Sequence, residues 1–287
     1  EASKIARDHP SLNLSTVFND FAGFPYSKVL DTFFIFRENY RHCFQDDLIL
    51  KQMRKANMPI VMEGAQGVLL DSKIGFVPYV TKSRTTFDAA RSLLGATGYH
   101  GSFHKIGILR AYHTRHGAGP FVTYDEKMTE TLPDLHNPEN PWQGRVKAGW
   151  FDLIAARYAI EQGGGVDELA ITCLDRLIGA KEVKMCYSYL CETTPNPELE
   201  ELFDYTFDSD GCEIFAIRPT GKVSQERLTY YLNRCKPHGF MDAFKSWSAC
   251  DDYYARTYLD AIENALDIPI YIVSYGPTAE ETYSTAP

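Results

Sequence analysis

"WFDLIAARYAIEQGGGVDELAITCLD", residues 150–175, carries a helix, its stop and a buried strand in one stretch. From Trp150 to Gln162 apolar residues recur at helical spacing, and Gly163, Gly164 and Gly165 can accept the left-handed conformation that closes a helix. "ELAITCL" then reads as a strand, and Asp175 places a carboxylate just past its end. Working outward, strands recur at "KIGILRAY" (105–112), "EVKMCYSYL" (182–190) and "PIYIVS" (269–274), and a helix over 252–266 is stopped by the segment 267–269. Upstream, Val29, Leu30, Phe33, Phe34, Phe44, Leu48 and Met53 recur at three- and four-residue steps, which predicts helix within 26–57, in one or two pieces. After Pro59, the run Ile60 to Met62 is expected to form a short buried strand. Elements alternating at these lengths predict a three-layer α/β fold, a largely parallel central sheet with helices on both faces, in a single domain over residues 1–287.

Composition narrows the function classes. With 44% hydrophobic and 23% charged residues in 287, the chain is an ordinary globular one, long enough to bury a full core. A formal charge of −9 argues against a nucleic-acid or anionic-membrane surface, so an anionic ligand must be held by a local cluster of cations. Seven cysteines, at irregular spacing and without a Cys-x-x-Cys pair, suggest neither a disulfide framework nor a zinc site and fit a reducing, cytoplasmic setting. No run of eighteen apolar residues is present. The first residue is Glu1 rather than methionine, which reads as a processed or incomplete chain.

In open α/β sheets ligands bind at the carboxyl ends of strands, and several turns stand at such ends. In "EGAQG" (63–67), Gly64 and Gly67 flank Gln66, whose amide offers a donor and an acceptor to a purine edge; a strand-to-loop turn with a solvated glutamine fits the same residues. In "TRHGAGP" (114–120), Arg115 suits a phosphate, His116 a sugar, and Gly117 and Gly119 open backbone N–H groups to oxygens, or the segment is only a tight turn. "VTKSRTT" (80–86) gathers hydroxyls and cations suited to a phosphate or to solvent. Asp175 can accept from ring N–H and amino groups, as guanine selection requires, or cap a helix, and "SYGP" (274–277) is a further strand-end turn. His100/His104 and His113/His116 have metal-binding spacing, but no third ligand is evident and no metal ligand is assigned. "LPDLHNPENPWQG" (132–144) is the one long loop. No Walker A, Gly-x-Gly-x-x-Gly or Gly-x-Ser-x-Gly pattern occurs.

The order of these motifs is more specific than any member. "EGAQG", "PYVTKSRTT", "ILRAYHTRHGAGPFVT", "GRVKAGWFDLIAARYA", "ITCLD", "EVKMCYSY" and "IPIYIVSYGP", in that series and spacing, resemble adenylosuccinate synthetase from about residue 26 to 277, most weakly over 193–240. The resemblance implies a homodimeric ligase that joins L-aspartate to the 6-position of a 6-oxopurine nucleotide, IMP, at the expense of GTP or ATP, with Mg²⁺, giving adenylosuccinate. By similarity Gln66 is the catalytic residue present here, hydrogen-bonded to the purine ring beside Gly64, and Thr81 holds the 5′-phosphate. Arg115, His116 and Gly117 would face the nucleotide's ribose and phosphate, and Arg145, with Lys147 as the alternative, would meet the aspartate carboxylate. Asp175, Ser274, Gly276 and Pro277 would cradle the triphosphate's base.

Departures from the family pattern are informative. The family's amino-terminal third, with its Gly-Asp-Glu-Gly-Lys-Gly loop and Gly-His pair carrying the catalytic aspartate and the general acid, has no counterpart in this sequence, which is read as an incomplete or cleaved chain. The usual Thr-Thr-Gly-Arg loop is replaced by "HNPENPWQGRVKAGW", His116 stands where the family has valine, and Cys173 replaces a lysine. These departures resemble the phage-type branch, which acts on dGMP to give 2-aminodeoxyadenylosuccinate. A catalytically inactive nucleotide-binding protein is the third reading.

Overall fold

The computed structural model describes residues 26–40, 51, 55, 58–134, 137–219, 225–245 and 252–285. In chain order these form α1 (Tyr26–Tyr40), α2 (Phe87–Ala96), β1 (Ile106–Arg110), β2 (His113–His116), α3 (Glu126–Thr131), β3 (Val146–Gly149), β4 (Phe151–Asp152), α4 (Leu153–Gln162), β5 (Glu168–Thr172), β6 (Glu182–Cys191), α5 (Pro197–Leu202), β7 (Phe203–Asp208), β8 (Gly211–Ile217), α6 (Gln225–Leu232), β9 (Cys235–Lys245), α7 (Asp252–Leu266), β10 (Ile270–Ser274) and β11 (Thr282–Ser284). Two compact units are distinguished, residues 1–60 with 94–99, and residues 61–93 with 100–287. The first holds α1, on which Val29, Leu30, Phe33 and Phe34 are exposed. Phe44, Leu48 and Met53, expected in a second helical piece, lie outside the described residues.

The second unit is an α/β assembly built on a central sheet ordered β1-β5-β10-β11. β1, β5 and β10 run parallel, and β11 closes the edge antiparallel to β10. Leu109, Ile171 and Val273 stand in one row across the three parallel strands, and with Leu169 and Ile270 they pack on Leu153 and Ala156 of α4 and on Tyr258, Leu259 and Ile262 of α7. Burying each such aliphatic side chain contributes about 1.5–3 kcal/mol.

Helix α4 also faces a second sheet, β4-β6-β8-β7 with β9 on the other edge of β6. Ile154 and Tyr158 of this helix pack with Tyr189, Leu199, Phe203, Ile214 and Leu228 in a separate core. A helix apolar on two faces is one wedged between two layers. Its end matches the expected glycine stop: Gly164 and Gly165 have φ of 89° and 72°, and their N–H groups donate to Glu161 and Ile160 carbonyls at 3.0 and 2.9 Å. Two reciprocal bonds of this spacing make the Schellman closure.

Its start carries a buried charge. Asp152 caps α4 by accepting from the Ala155 N–H at 2.9 Å, and the Tyr189 hydroxyl donates to the same carboxylate at 2.6 Å. Burial pushes its pKa from 3.8 up to about 6 despite these bonds. The protonated form is therefore favoured by folding, and this contribution is full below about pH 4 and is lost as pH rises through about 6. Asp152→Asn removes the charge while keeping the cap. Its stability relative to the wild type is expected to rise by about 3 kcal/mol between pH 4 and pH 7. Urea unfolding of both proteins across that range checks this, and a constant difference would contradict it. Burial lowers the His113 imidazole to about 4, a contribution lost as pH falls below 6.5, but it is common to both proteins and cancels.

Two expectations need correction. Ile60 to Met62 forms no strand and belongs to no sheet, and Val61 is 91% exposed. An apolar run becomes a strand only when a neighbour completes its ladder, and none among the described residues does. The sequence reading also lacked the antiparallel pairs of β6, β7, β8 and β9. None of the described helices is long and apolar enough to cross a membrane.

Candidate nucleotide site

Three of the expected segments are tied together by hydrogen bonds. Gln66, at the turn of the EGAQG stretch, has φ of 60°, a left-handed conformation that side-chain-bearing residues adopt at a cost. Its side chain is exposed and makes no hydrogen bond among the described residues. The next residue, Gly67, accepts from the Thr85 hydroxyl at 3.0 Å, and the Thr81 N–H donates to the Leu70 carbonyl at 2.8 Å. Gln66 and Thr81 are thereby held on one knot of chain.

Asp71 tightens that knot. Fully buried, its carboxylate accepts from the Lys73 N–H at 2.8 Å, the Thr85 N–H at 2.6 Å and the Arg84 Nε at 3.1 Å. Burial alone pushes its pKa up, but the Thr85 and Lys73 amides and the Arg84 guanidinium outweigh it and hold the carboxyl below its ordinary value. The ionised form thus fixes the loop 80–86, and Arg84 continues to Thr86 and Asp88 at 3.1 and 3.0 Å. Sequence reasoning missed Asp71.

Arg115 joins this loop to the HGAG turn. Its guanidinium donates to the Ala118 carbonyl at 2.9 and 2.6 Å and to the Tyr79 carbonyl at 3.4 Å. At Gly119 φ is 112°, a conformation that strains any residue with a side chain, and a Cβ there would also displace this guanidinium, so the position favours glycine. Arg115 therefore builds the turn with its donors. Across the β2–β3 ladder it stands opposite Lys147, which makes no hydrogen bond or ion pair among the described residues. Directly opposed side chains in an antiparallel pair share one face, so two cations lie side by side where an anion would relieve them.

His116 turns to the substituted loop. Its Nε2 donates to the Gly144 carbonyl at 3.1 Å, with the Asn140 amide 3.4 Å away. Asn140 organises the loop tip, its Oδ1 accepting from the Trp142 and Gln143 N–H groups at 3.0 and 2.9 Å, and Trp142 stands 93% exposed. The two departures from the family pattern noted above, the histidine and the loop, are thus hydrogen-bond partners.

Arg145 lies with acids and a phenol. It binds the Glu126 carboxylate and donates to the Tyr124 hydroxyl at 3.0 Å, both on exposed surface, and Tyr124 also binds Glu126. The Glu126 carboxyl is held below its ordinary value by Arg145 and then by Tyr124. Neither partner carried a sequence signal.

At the carboxyl ends of β5 and β10, Asp175 and the turn 274–277 are neighbours. The strands are adjacent and parallel, the Ser274 hydroxyl donates to the Gly276 carbonyl at 2.8 Å, and the Tyr275 N–H donates to the Glu281 carbonyl at 2.9 Å. Pro277, next in this turn, is exposed. Burial raises the pKa of Asp175 against the pull of Arg176, and the Glu281 carboxylate adds to the rise. Cys173, just before it, is a second left-handed non-glycine residue, with φ of 62°. Gly64, expected beside Gln66, is exposed and unobstructed. The histidines disperse: His104 binds Glu168 at 2.8 Å and the His113 ring packs 5.1 Å from Phe151. Among the described residues no group of three His, Cys, Asp or Glu side chains could hold a metal ion.

A family model described as adenylosuccinate synthetase matches residues 8–283. An adenylosuccinate synthetase of Chlorobium limicola is 36% identical over 241 residues, covering 82% of this chain and 50% of its own length. One from Xylella fastidiosa is 32% identical over 287 residues, covering 98% and 61%. This chain thus spans roughly half to three-fifths of these curated relatives. In structure it superposes on the fully ligated adenylosuccinate synthetase of Plasmodium falciparum with a TM-score of 0.68 at 21% identity, over 93% of this chain and 60% of that one. Since the family model covers nearly the whole sequence and these relatives exceed 30% identity over most of it, the chain belongs to the adenylosuccinate synthetase family.

Proposed function

We propose that this chain supplies the nucleotide- and aspartate-binding part of a ligase that joins L-aspartate to IMP with consumption of GTP. One observation carries the reading most: the left-handed Gln66 turn is tied through Gly67 and Thr85 to the Asp71-organised loop bearing Thr81, and that loop through Tyr79 and Arg115 to Gly117. A purine amide edge, a 5′-phosphate and a sugar in sequence match those three stations.

The chemistry fits the stations. A ring carbonyl oxygen cannot leave as oxide, so the γ-phosphoryl group of the triphosphate is transferred to purine O6 and the diphosphate departs. The aspartate amine then bonds to C6, and the O6–C6 bond breaks with loss of phosphate. In this scheme Gln66 fixes the ring by its edge, Thr81 anchors the phosphate, and Asp175 with the turn at Ser274, Gly276 and Pro277 receives the base of the triphosphate. Catalysis then rests on positioning and on charge stabilisation. Mg²⁺ belongs to the proposal as the triphosphate's companion, since Mg²⁺ is commonly held by substrate phosphates and one or two carboxylates rather than by an all-protein cage. The described residues form no such cage, and no step is assigned to the ion.

Phosphate release from GTP by the complete protein, measured with each component omitted in turn, tests the reading. Release should require both IMP and aspartate and be matched by adenylosuccinate. Release without aspartate, or none with all components present, would overturn it.

A further inference from the structure

We propose that Cys191 and Cys235 form an oxidisable dithiol site, closed to a disulfide by a small hydroperoxide that enters the surface cavity beside Arg234. The site is independent of the nucleotide reading. Cys191 ends β6, directly opposite Cys235 on β9 and opposite Cys212 on β8, so three thiols share one level and one face of the antiparallel sheet. A residue on a central antiparallel strand sends both backbone groups to one neighbour and meets the other at the closer, non-hydrogen-bonded spacing of about 4.5 Å between Cα atoms. That spacing lies within the range a disulfide spans.

Side-chain orientation chooses the partner. The Cys212 thiol is directed to the Thr193 carbonyl at 3.3 Å, whereas Cys235 stands directly across the ladder from Cys191 and makes no such bond among the described residues. Beside Cys191 the Arg234 guanidinium favours a thiolate, while burial and the Glu192 carboxylate oppose it. Cys191 lines the cavity beside Arg234 and Cys235 does not, so Cys191 is the thiol that meets the peroxide and Cys235 the resolving one. Access is narrow. Cys191 is 1% exposed, yet it lines a cavity of about 380 Å³ with Thr193, Tyr230, Tyr231 and Arg234, and the Arg234 guanidinium stacks 3.4 Å over the Tyr230 ring.

The step balances with the hydroperoxide as two-electron oxidant. The Cys191 thiolate attacks the peroxide, an S–O bond forms as the O–O bond breaks, and hydroxide leaves. The Cys235 sulfur then displaces the sulfenic oxygen, which departs as water when it takes the thiol proton, leaving the S–S bond.

The test is a linkage map of the full chain after brief exposure to hydrogen peroxide, acid quenching and alkylation in denaturant. The expected result is loss of two of the seven alkylatable thiols, a peptide pair linked through Cys191 and Cys235, and full return with dithiothreitol. Cys212→Ser should leave the link intact. Cys235→Ser should instead yield a dimedone-reactive sulfenic acid at Cys191. Two free thiols at 191 and 235 after oxidation, a link through Cys212, or sulfinic acid without a link would each overturn the proposal, and the wild-type map needs no variant to fold.

Discussion

Gln66→Ala is expected to lower kcat/KM for the purine nucleotide by one to two orders of magnitude in the complete enzyme. The reason is the roughly 1–3 kcal/mol lost when a buried ligand group is left without its hydrogen-bond partner. The backbone gives a way to separate this from a folding defect. With φ of 60°, Gln66 occupies a region that costs a residue with a Cβ about 1–2 kcal/mol and glycine almost nothing. Gln66→Gly should therefore be at least as stable as the wild type and as inactive as the alanine variant, whereas Gln66→Ala keeps the strain and loses the amide. Kinetics and thermal unfolding of the two variants measure both halves. Wild-type turnover in either one removes Gln66 from the site, and loss of activity that tracks loss of stability makes it a structural residue only.

The fold was legible where a segment carries its own signal. The three parallel strands of the central sheet are apolar runs, whereas the exposed edge strand Thr282–Ser284 is not and was not foreseen; the stop of α4 is spelled by Gly163, Gly164 and Gly165. Ile60 to Met62 has the same kind of run but not its burial, because burial depends on neighbours that a run does not encode. The β7–β8 hairpin was passed over although Asp210-Gly211, with Gly211 at φ of 131°, is a turn signal between strands. Its flanks alternate acids with aromatics, Phe203, Asp204, Tyr205, Phe207 and Asp208, and therefore read as polar loop. In the site, motif order pointed to Gln66, Thr81 and Arg115, whose segments the structure ties together through local turns. Asp71 binds residues thirteen and fourteen positions on, and Glu126 meets Arg145 nineteen positions on. Such pairings arise from tertiary closure, and no spacing rule announces them.

The largest effect on the amino-acid substrate is expected at the substituted loop. Aspartate brings two carboxylates, and Arg145 and Lys147, two residues apart at the start of β3, are cations of matching spacing. Lys147 stands across the ladder from Arg115, whose Nε and one terminal nitrogen are already committed to carbonyls, while the Lys147 side chain makes no bond among the described residues and is open to an anion. Arg145 is engaged with Glu126, but both groups are exposed, and an exposed ion pair is readily exchanged for a substrate carboxylate. Arg145→Leu should then raise the KM for aspartate by about one to two orders of magnitude, as loss of a charged hydrogen-bond donor does, and leave nucleotide KM nearly unchanged. Glu126→Gln gives the opposite sign: with its competitor neutralised, Arg145 binds aspartate more readily and KM falls. The pair of opposed shifts is specific, since a merely structural Arg145–Glu126 contact would make both variants worse. If Lys147→Leu alone raises the aspartate KM while Arg145→Leu and Glu126→Gln leave it unchanged, the carboxylate sits beside Arg115 and the Arg145–Glu126 pair has no part in the reaction.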